Sequence, residues 1–153
     1  MRPKRYSARR TSFLGARIAT VMVLSLFLVI GLGRAADIKQ GEELFKEHCA
    51  ACHTVIESVR DKSGPNLNGV VGRNAGTENY GHGYTEEMMA SGVTWGIATL
   101  QAFLNSPALM VRGTKMVFRG LPDANARLDI ACYLEQIGDR NNVTPNALCA
   151  MER

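Results

Sequence analysis

The chain has 153 residues, enough for one compact domain of the usual ~100 to 200 residues and too few for a multidomain machine. With 46% hydrophobic and 21% charged residues it falls near the soluble globular average, which excludes a wholly disordered chain and a polytopic membrane protein. The formal charge of +4 invites a nucleic-acid reading, but residues 1 to 35 hold seven cations and no acid, leaving eleven cations against fourteen acids, a net −3, in the rest. No basic face for phosphates survives in the body, and no nucleic-acid partner is expected.

That basic leader is followed by Ile18 to Gly33, sixteen uncharged residues centred on Val21 to Ile30. As a helix they would reach about 24 Å, short of a ~30 Å hydrocarbon layer, a pattern that favours a removed export signal over a spanning anchor. Cleavage after Ala35 sets Gly33 and Ala35 at the small-residue positions; an uncleaved tether through 18–33, helped by snorkelling of Arg17 and Arg34, is the alternative. Arg9 and Arg10 resemble a twin-arginine signal only loosely. The expected organisation is thus a signal peptide or membrane anchor over 1–35, a domain over 36–138 and a polar tail over 139–153. The expected location is the periplasm.

Asp37, with Gln40 three residues on, offers an N-cap for a helix from 38 to about 51 that places Leu44 and Phe45 on an apolar side. From Thr54 to Gly83 the chain is rich in Gly and Asn with no sustained periodicity, long for a bare loop, as if a ligand supplied the missing interior. Thr85 begins a short helix that Gly92 can stop, and Thr94 a second that Pro107 ends. Asp123 caps a last helix in which Leu128, Ala131, Leu134 and Ile137 recur at helical spacing up to Gly138. No alternating strand pattern competes, so the expected class is all-α.

Cys49-Ala50-Ala51-Cys52-His53 is C-x-x-C-H, the attachment signature of c-type haem. Thiols three apart at the end of a helix share one side and can add to two porphyrin vinyl groups, while the adjacent His53 is carried under the ring to the iron. A thioredoxin-like pair would want a strand before the motif, and a zinc site would want two further ligands that Cys132 and Cys149 do not supply as a second C-x-x-C. Candidates for the opposite axial position are His82 and Met88, Met89, Met110, Met116 and Met151. Cys132 and Cys149 are either a disulfide tying the tail to the last helix or separate thiols.

These residues, together with Gly41 and Phe45 before the motif, Gly64-Pro65-Asn66-Leu67-Asn68-Gly69, Gly72-Arg73, Tyr84-Thr85, Trp95, Gly113 to Gly120 and Arg127 through Leu134, resemble class I cytochromes c, in particular bacterial relatives of mitochondrial cytochrome c. The resemblance spans roughly residues 37 to 138. It implies four or five short helices around one haem c bound through Cys49 and Cys52, with the first and last helices crossing where Gly41 and Phe45 meet Ile130 and Tyr133. It implies His53 and Met116 as iron ligands and the Pro65 carbonyl as acceptor of the imidazole N–H. Arg73, Tyr84 and Trp95 match positions that hold the propionates, and Phe118 joins the haem-binding set.

The same resemblance implies a one-electron carrier and not an enzyme, since with both axial positions filled the iron is closed to small substrates. Its donor would be a quinol-cytochrome c reductase type complex or a periplasmic dehydrogenase, its acceptor a terminal oxidase or photosynthetic reaction centre, and its state a monomer. Two further readings are a haem subunit of a dehydrogenase, held by an apolar patch at Ala108, Leu109 and Met110, and a peroxide- or gas-reactive protein in which Met116 dissociates. Departures from the family pattern are Arg112 where proline is common, Phe103 where tyrosine is common, and Ala108 and Leu109 in place of lysines that would ring a docking face.

Overall fold

A computed structural model describes residues 34–138 and 146–149. The leader residues 1–33 with the apolar stretch 18–33, tail residues 139–145 and 150–153, and the candidate ligand Met151 lie outside the described residues. The element order is α1 (Ile38–His48), α2 (Glu86–Met89), α3 (Ile97–Asn105), α4 (Pro107–Met110) and α5 (Ala124–Gly138). Among the described residues there is no strand beyond one isolated antiparallel bridge between Asn74 and Thr94. The expected all-α cytochrome c fold is the one observed.

Helix α1 starts where the sequence predicts, with the Asp37 carboxylate accepting from the Gln40 N–H at 2.9 Å and satisfying one of the orphan donors of a helix start. It ends at His48, three residues before the expected end, and the cysteine motif continues as a turn in which the Cys52 and His53 N–H groups both return to the Cys49 carbonyl. The Thr85 hydroxyl caps α2, and Gly92 follows it at φ 66°, a left-handed conformation that suits glycine. Helix α3 begins at Ile97, not at Thr94 as the sequence suggests. The Thr94 hydroxyl donates instead to the Asn74 side chain at 2.8 Å, and the Thr99 hydroxyl accepts from the Gly96 N–H at 2.7 Å, so the start shifts by three residues. Pro107 does not simply end α3; it opens the four-residue α4, where a missing N–H costs nothing. The Asp123 carboxylate accepts from the Asn125 N–H at 2.8 Å at the start of α5.

The first and last helices pack together as expected. A Cβ added to Gly41 would lie 2.1 Å from the Asp129 carbonyl oxygen and 3.0 Å from Tyr133 Cβ, so only glycine allows the backbones this close. Phe45 stacks against Tyr133 with ring centroids 5.6 Å apart, and both adjoin the core around Ile130, Ala131 and Leu134. Asp129 is buried at this crossing, where it accepts from the Asp37 N–H at 2.8 Å and from the Arg34 guanidinium at 3.0 Å. Arg34, although next to the apolar leader in sequence, is thus tied to the domain.

A disulfide joins Cys132 in α5 to Cys149 in the tail, deciding between the two readings of those cysteines. The tail turn is also held by buried Glu135, whose carboxylate accepts from the Asn146 N–H at 3.1 and 3.2 Å.

Candidate haem site

The turn at the C-terminal end of α1 leaves Cys49 buried and Cys52 exposed. Burial, and secondarily the neighbouring Cys52, pushes the Cys49 thiol up to about 11, so as a free group it stays protonated at neutral pH. A thioether carries no charge and suits the same apolar setting.

His53 follows at once, and the segment that faces it is pinned on both sides of the ring. The Gly64 N–H donates to the Cys52 carbonyl and the Leu67 N–H to the Thr54 carbonyl, each at 2.8 Å, so the chain crosses His53 in fixed register. A Cβ on Gly64 would lie 2.4 Å from Cε1 and 2.7 Å from Nδ1 of the imidazole; the ring therefore occupies a slot that exists only because residue 64 has no side chain. Within it Nδ1 lies 2.8 Å from the Pro65 carbonyl oxygen. A carbonyl can only accept, so Nδ1 bears the hydrogen and Nε2 presents its lone pair. Burial lowers the affinity of the ring for a second proton, opposed in part by the Pro65 bond and helped by Lys62. This is the tautomer and charge state a metal-binding histidine needs.

The other expected ligand and propionate contacts collect on a second cluster. Buried Ala75, Met88, Phe103 and Val111 are packed by partly buried Tyr84, Trp95, Met110 and Met116. Trp95 also adjoins the main core, which Cys49 enters and Phe118 flanks, so this indole joins the two clusters. It meets Phe103 edge-on with centroids 5.0 Å apart. Arg73 donates through Nη2 to the Asn66 carbonyl at 3.1 Å and through Nη1 to the Glu78 carboxylate. Burial, ahead of every charge, pushes the Tyr84 phenol up to about 12, while Arg73 acts in the opposite direction, which places the guanidinium and phenol in one neighbourhood.

Burial and setting separate exposed Met89 and His82 from Met116, while buried Met88 and partly buried Met110 share its cluster. Met88 fills the second cluster, Met89 is exposed, Met110 packs against the cluster, and the exposed His82 offers its backbone carbonyl to Lys115. The expected apolar patch is accordingly narrower: Ala108 and Leu109 are exposed, whereas Met110 packs against the second cluster. Sequence reasoning missed Gly64 as the element that seats His53 and Glu78 as a partner of Arg73. The first lay in plain view beside Pro65; the second had no signal, because the contact forms across an aperiodic loop.

Two thiols three residues apart, a neutral imidazole with Nε2 free, a thioether on a separate apolar cluster and a guanidinium and phenol for carboxylates together fit a covalently held haem. The fold and site define a c-type haem protein. The family profile described as cytochrome c matches residues 38–137. Cytochrome c of Ginkgo biloba is 44% identical over 100 residues, covering 65% of this chain and 88% of that protein. The protein of the same name from Sesamum indicum is 43% identical over 100 residues, covering 65% and 89%, and that of Gibberella zeae 42% over 99 residues, covering 65% and 92%. The chain belongs to the cytochrome c family, a family of haem electron carriers, and carries one haem c attached through Cys49 and Cys52.

Proposed function

We propose that this protein is an exported one-electron carrier of a respiratory or photosynthetic chain, with haem iron ligated by His53 and Met116. The observation that carries the ligand reading is the His53 ring seated against Gly64 with Nδ1–H given to Pro65, which leaves Nε2 as the free donor. A His/Met-ligated haem supplies a reversible one-electron couple without an open coordination site. The protein's own contribution is placement: α1 and its terminal turn set the thiols, the Gly64–Leu67 segment fixes the imidazole, and the segment from Gly113 to Gly120 presents Met116. Arg73, Tyr84 and Trp95 supply hydrogen-bond donors for the propionates, whose charges need them when sheltered from water. Phe118 shields the interior beside Trp95.

Export to a bacterial periplasm, as a cleaved soluble protein or one tethered through 18–33, is supported by the leader composition and by the Cys132–Cys149 disulfide, a bond that persists in oxidising compartments. Donor and acceptor are redox proteins met transiently: a quinol-oxidising complex or dehydrogenase on one side, a terminal oxidase or reaction centre on the other. The alternative of a resident dehydrogenase subunit draws support from the exposed apolar side chains Leu109 and Val117, 75% and 96% exposed.

The test is a redox titration with visible spectra and an intact mass on protein recovered from the periplasm. A carrier gives one haem mass, a low-spin reversible couple and the sulfur-to-iron band of the ferric form; Met116→Ala abolishes that band and lowers the potential. Retention of both would assign the distal ligand elsewhere. Gel filtration with candidate dehydrogenases at low and high salt separates a diffusing carrier from a fixed subunit.

A further inference from the structure

Arg73 is the cation assigned above to the propionates, and a role for its partners in haem binding rests on that reading. Its guanidinium is already engaged at two nitrogens. Nη2 donates to the Asn66 carbonyl at 3.1 Å, which orients the group from the proximal segment, and Nη1 donates to the carboxylate of Glu78, five residues on. The Arg73 side chain is 19% exposed and that of Glu78 37%, so the pair is partly sheltered from solvent. Tyr84, also assigned to a propionate, feels both partners: after burial, Arg73 draws its affinity for the proton down, while Glu78, Asp61 and Tyr80 raise it.

A propionate and a glutamate present the same chemistry to a guanidinium, two carboxylate oxygens that accept from a planar fork. Every increment of negative charge near the iron also favours the ferric form, which carries one more positive charge than the ferrous form. We propose that Glu78 is a positioning residue for the haem, a protein carboxylate that shares Arg73 with a propionate and thereby lowers the midpoint potential. By taking one nitrogen of the fork, Glu78 fixes the direction in which the other donors point. By cancelling part of the guanidinium charge, it weakens the electrostatic hold that Arg73 exerts in favour of the ferrous state. Because the pair is partly exposed, the effect is screened by salt, over a Debye length of about 10 Å at 0.1 M.

Spectroelectrochemical titration of the holoprotein at low and high ionic strength tests this with three variants and a fallback. Glu78→Gln, which keeps the shape and removes the charge, moves the midpoint potential upward, and the displacement shrinks in high salt. Glu78→Asp restores part of the native potential, a rescue that a merely structural role would not give. Arg73→Gln moves the potential downward, and Arg73→Met, which also removes the charge but keeps an unbranched stem, serves if the glutamine variant does not fold. An unchanged potential in Glu78→Gln at low salt, with Arg73→Gln still lowering it, would overturn the role of Glu78 and leave the propionate assignment standing. No response in either would remove the assignment of Arg73 as well.

Discussion

The segments that carry the two proposed iron ligands, His53 and Met116, are built in opposite ways. On the proximal side, the chain from Cys52 to Asn68 is laced by short bonds. The Gly64 and Leu67 N–H groups reach across at 2.8 Å, the Asn66 N–H donates to the Asp61 carboxylate at 2.7 Å, and the Asn68 side chain donates to the Val55 carbonyl at 2.8 Å. On the distal side, the segment around Met116 is held by longer contacts. The Met116 N–H meets the Thr114 hydroxyl at 3.3 Å, and the Lys115 ammonium, itself exposed, meets the His82 and Gly83 carbonyls at 3.3 Å each. Backbone bonds that cross a ligand fix it cooperatively, whereas a flexible lysine stem holds a loop at the cost of its own rotamer freedom. The His53 side is tied by backbone bonds that cross the ligand's own segment, so the Met116 side is expected to yield first.

The largest break in that contrast is expected from Gly64→Ala. The added methyl would occupy the imidazole's place at 2.4 Å, so His53 must leave its slot; the yield of low-spin holoprotein, read from the visible spectrum, falls to a small fraction of wild type. Gly41→Ala strikes the same side through the helix crossing and lowers stability to denaturant by about 3 kcal/mol or more, since its Cβ would meet backbone at 2.1 Å. The double replacement of Cys132 and Cys149 by alanine leaves both ligands untouched and removes a link across 17 residues; chain entropy puts the loss at about 3 kcal/mol, measured by the same denaturation. Lys115→Ala acts on the distal side alone, lowering stability by only about 1 kcal/mol but losing the sulfur-to-iron band at a lower temperature or pH than unfolding requires.

The smallest effect is electrostatic. Tyr84 holds its proton up to about 12 in the folded chain against the ordinary 10.0, so the unfolded chain releases that proton first and stability falls as pH rises from about 10 towards 12. Tyr84→Phe makes the decline shallower in thermal melts across that range. An unaltered slope would mean that the phenol is as free in the folded protein as out of it.

Legibility in the sequence divides along similar lines. The cysteine motif, the Asp37 cap and the crossing of Gly41 and Phe45 with α5 depend on residues close in sequence or on helical periodicity, and they appear where expected. Local pattern places the start of α3 three residues early, because Thr94 is as good a cap as Gly96 until its hydroxyl finds Asn74, twenty residues away. The pairing of Cys132 with Cys149 depends equally on where the tail returns, which no local pattern encodes. Charge and neighbours put Arg34 with the leader, and its bond to Asp129, 95 residues on, lies beyond any local signal.

That last contact would give the proposed removal of the leader a stake in folding. A cut after Gly33 would leave the guanidinium beside buried Asp129, whereas a cut after Ala35 would remove it and create a new α-ammonium on Ala36, next to the amide that already bonds the same carboxylate. A protease acting two peptide bonds apart would therefore choose which cation, side chain or terminus, locks the first helix onto the last.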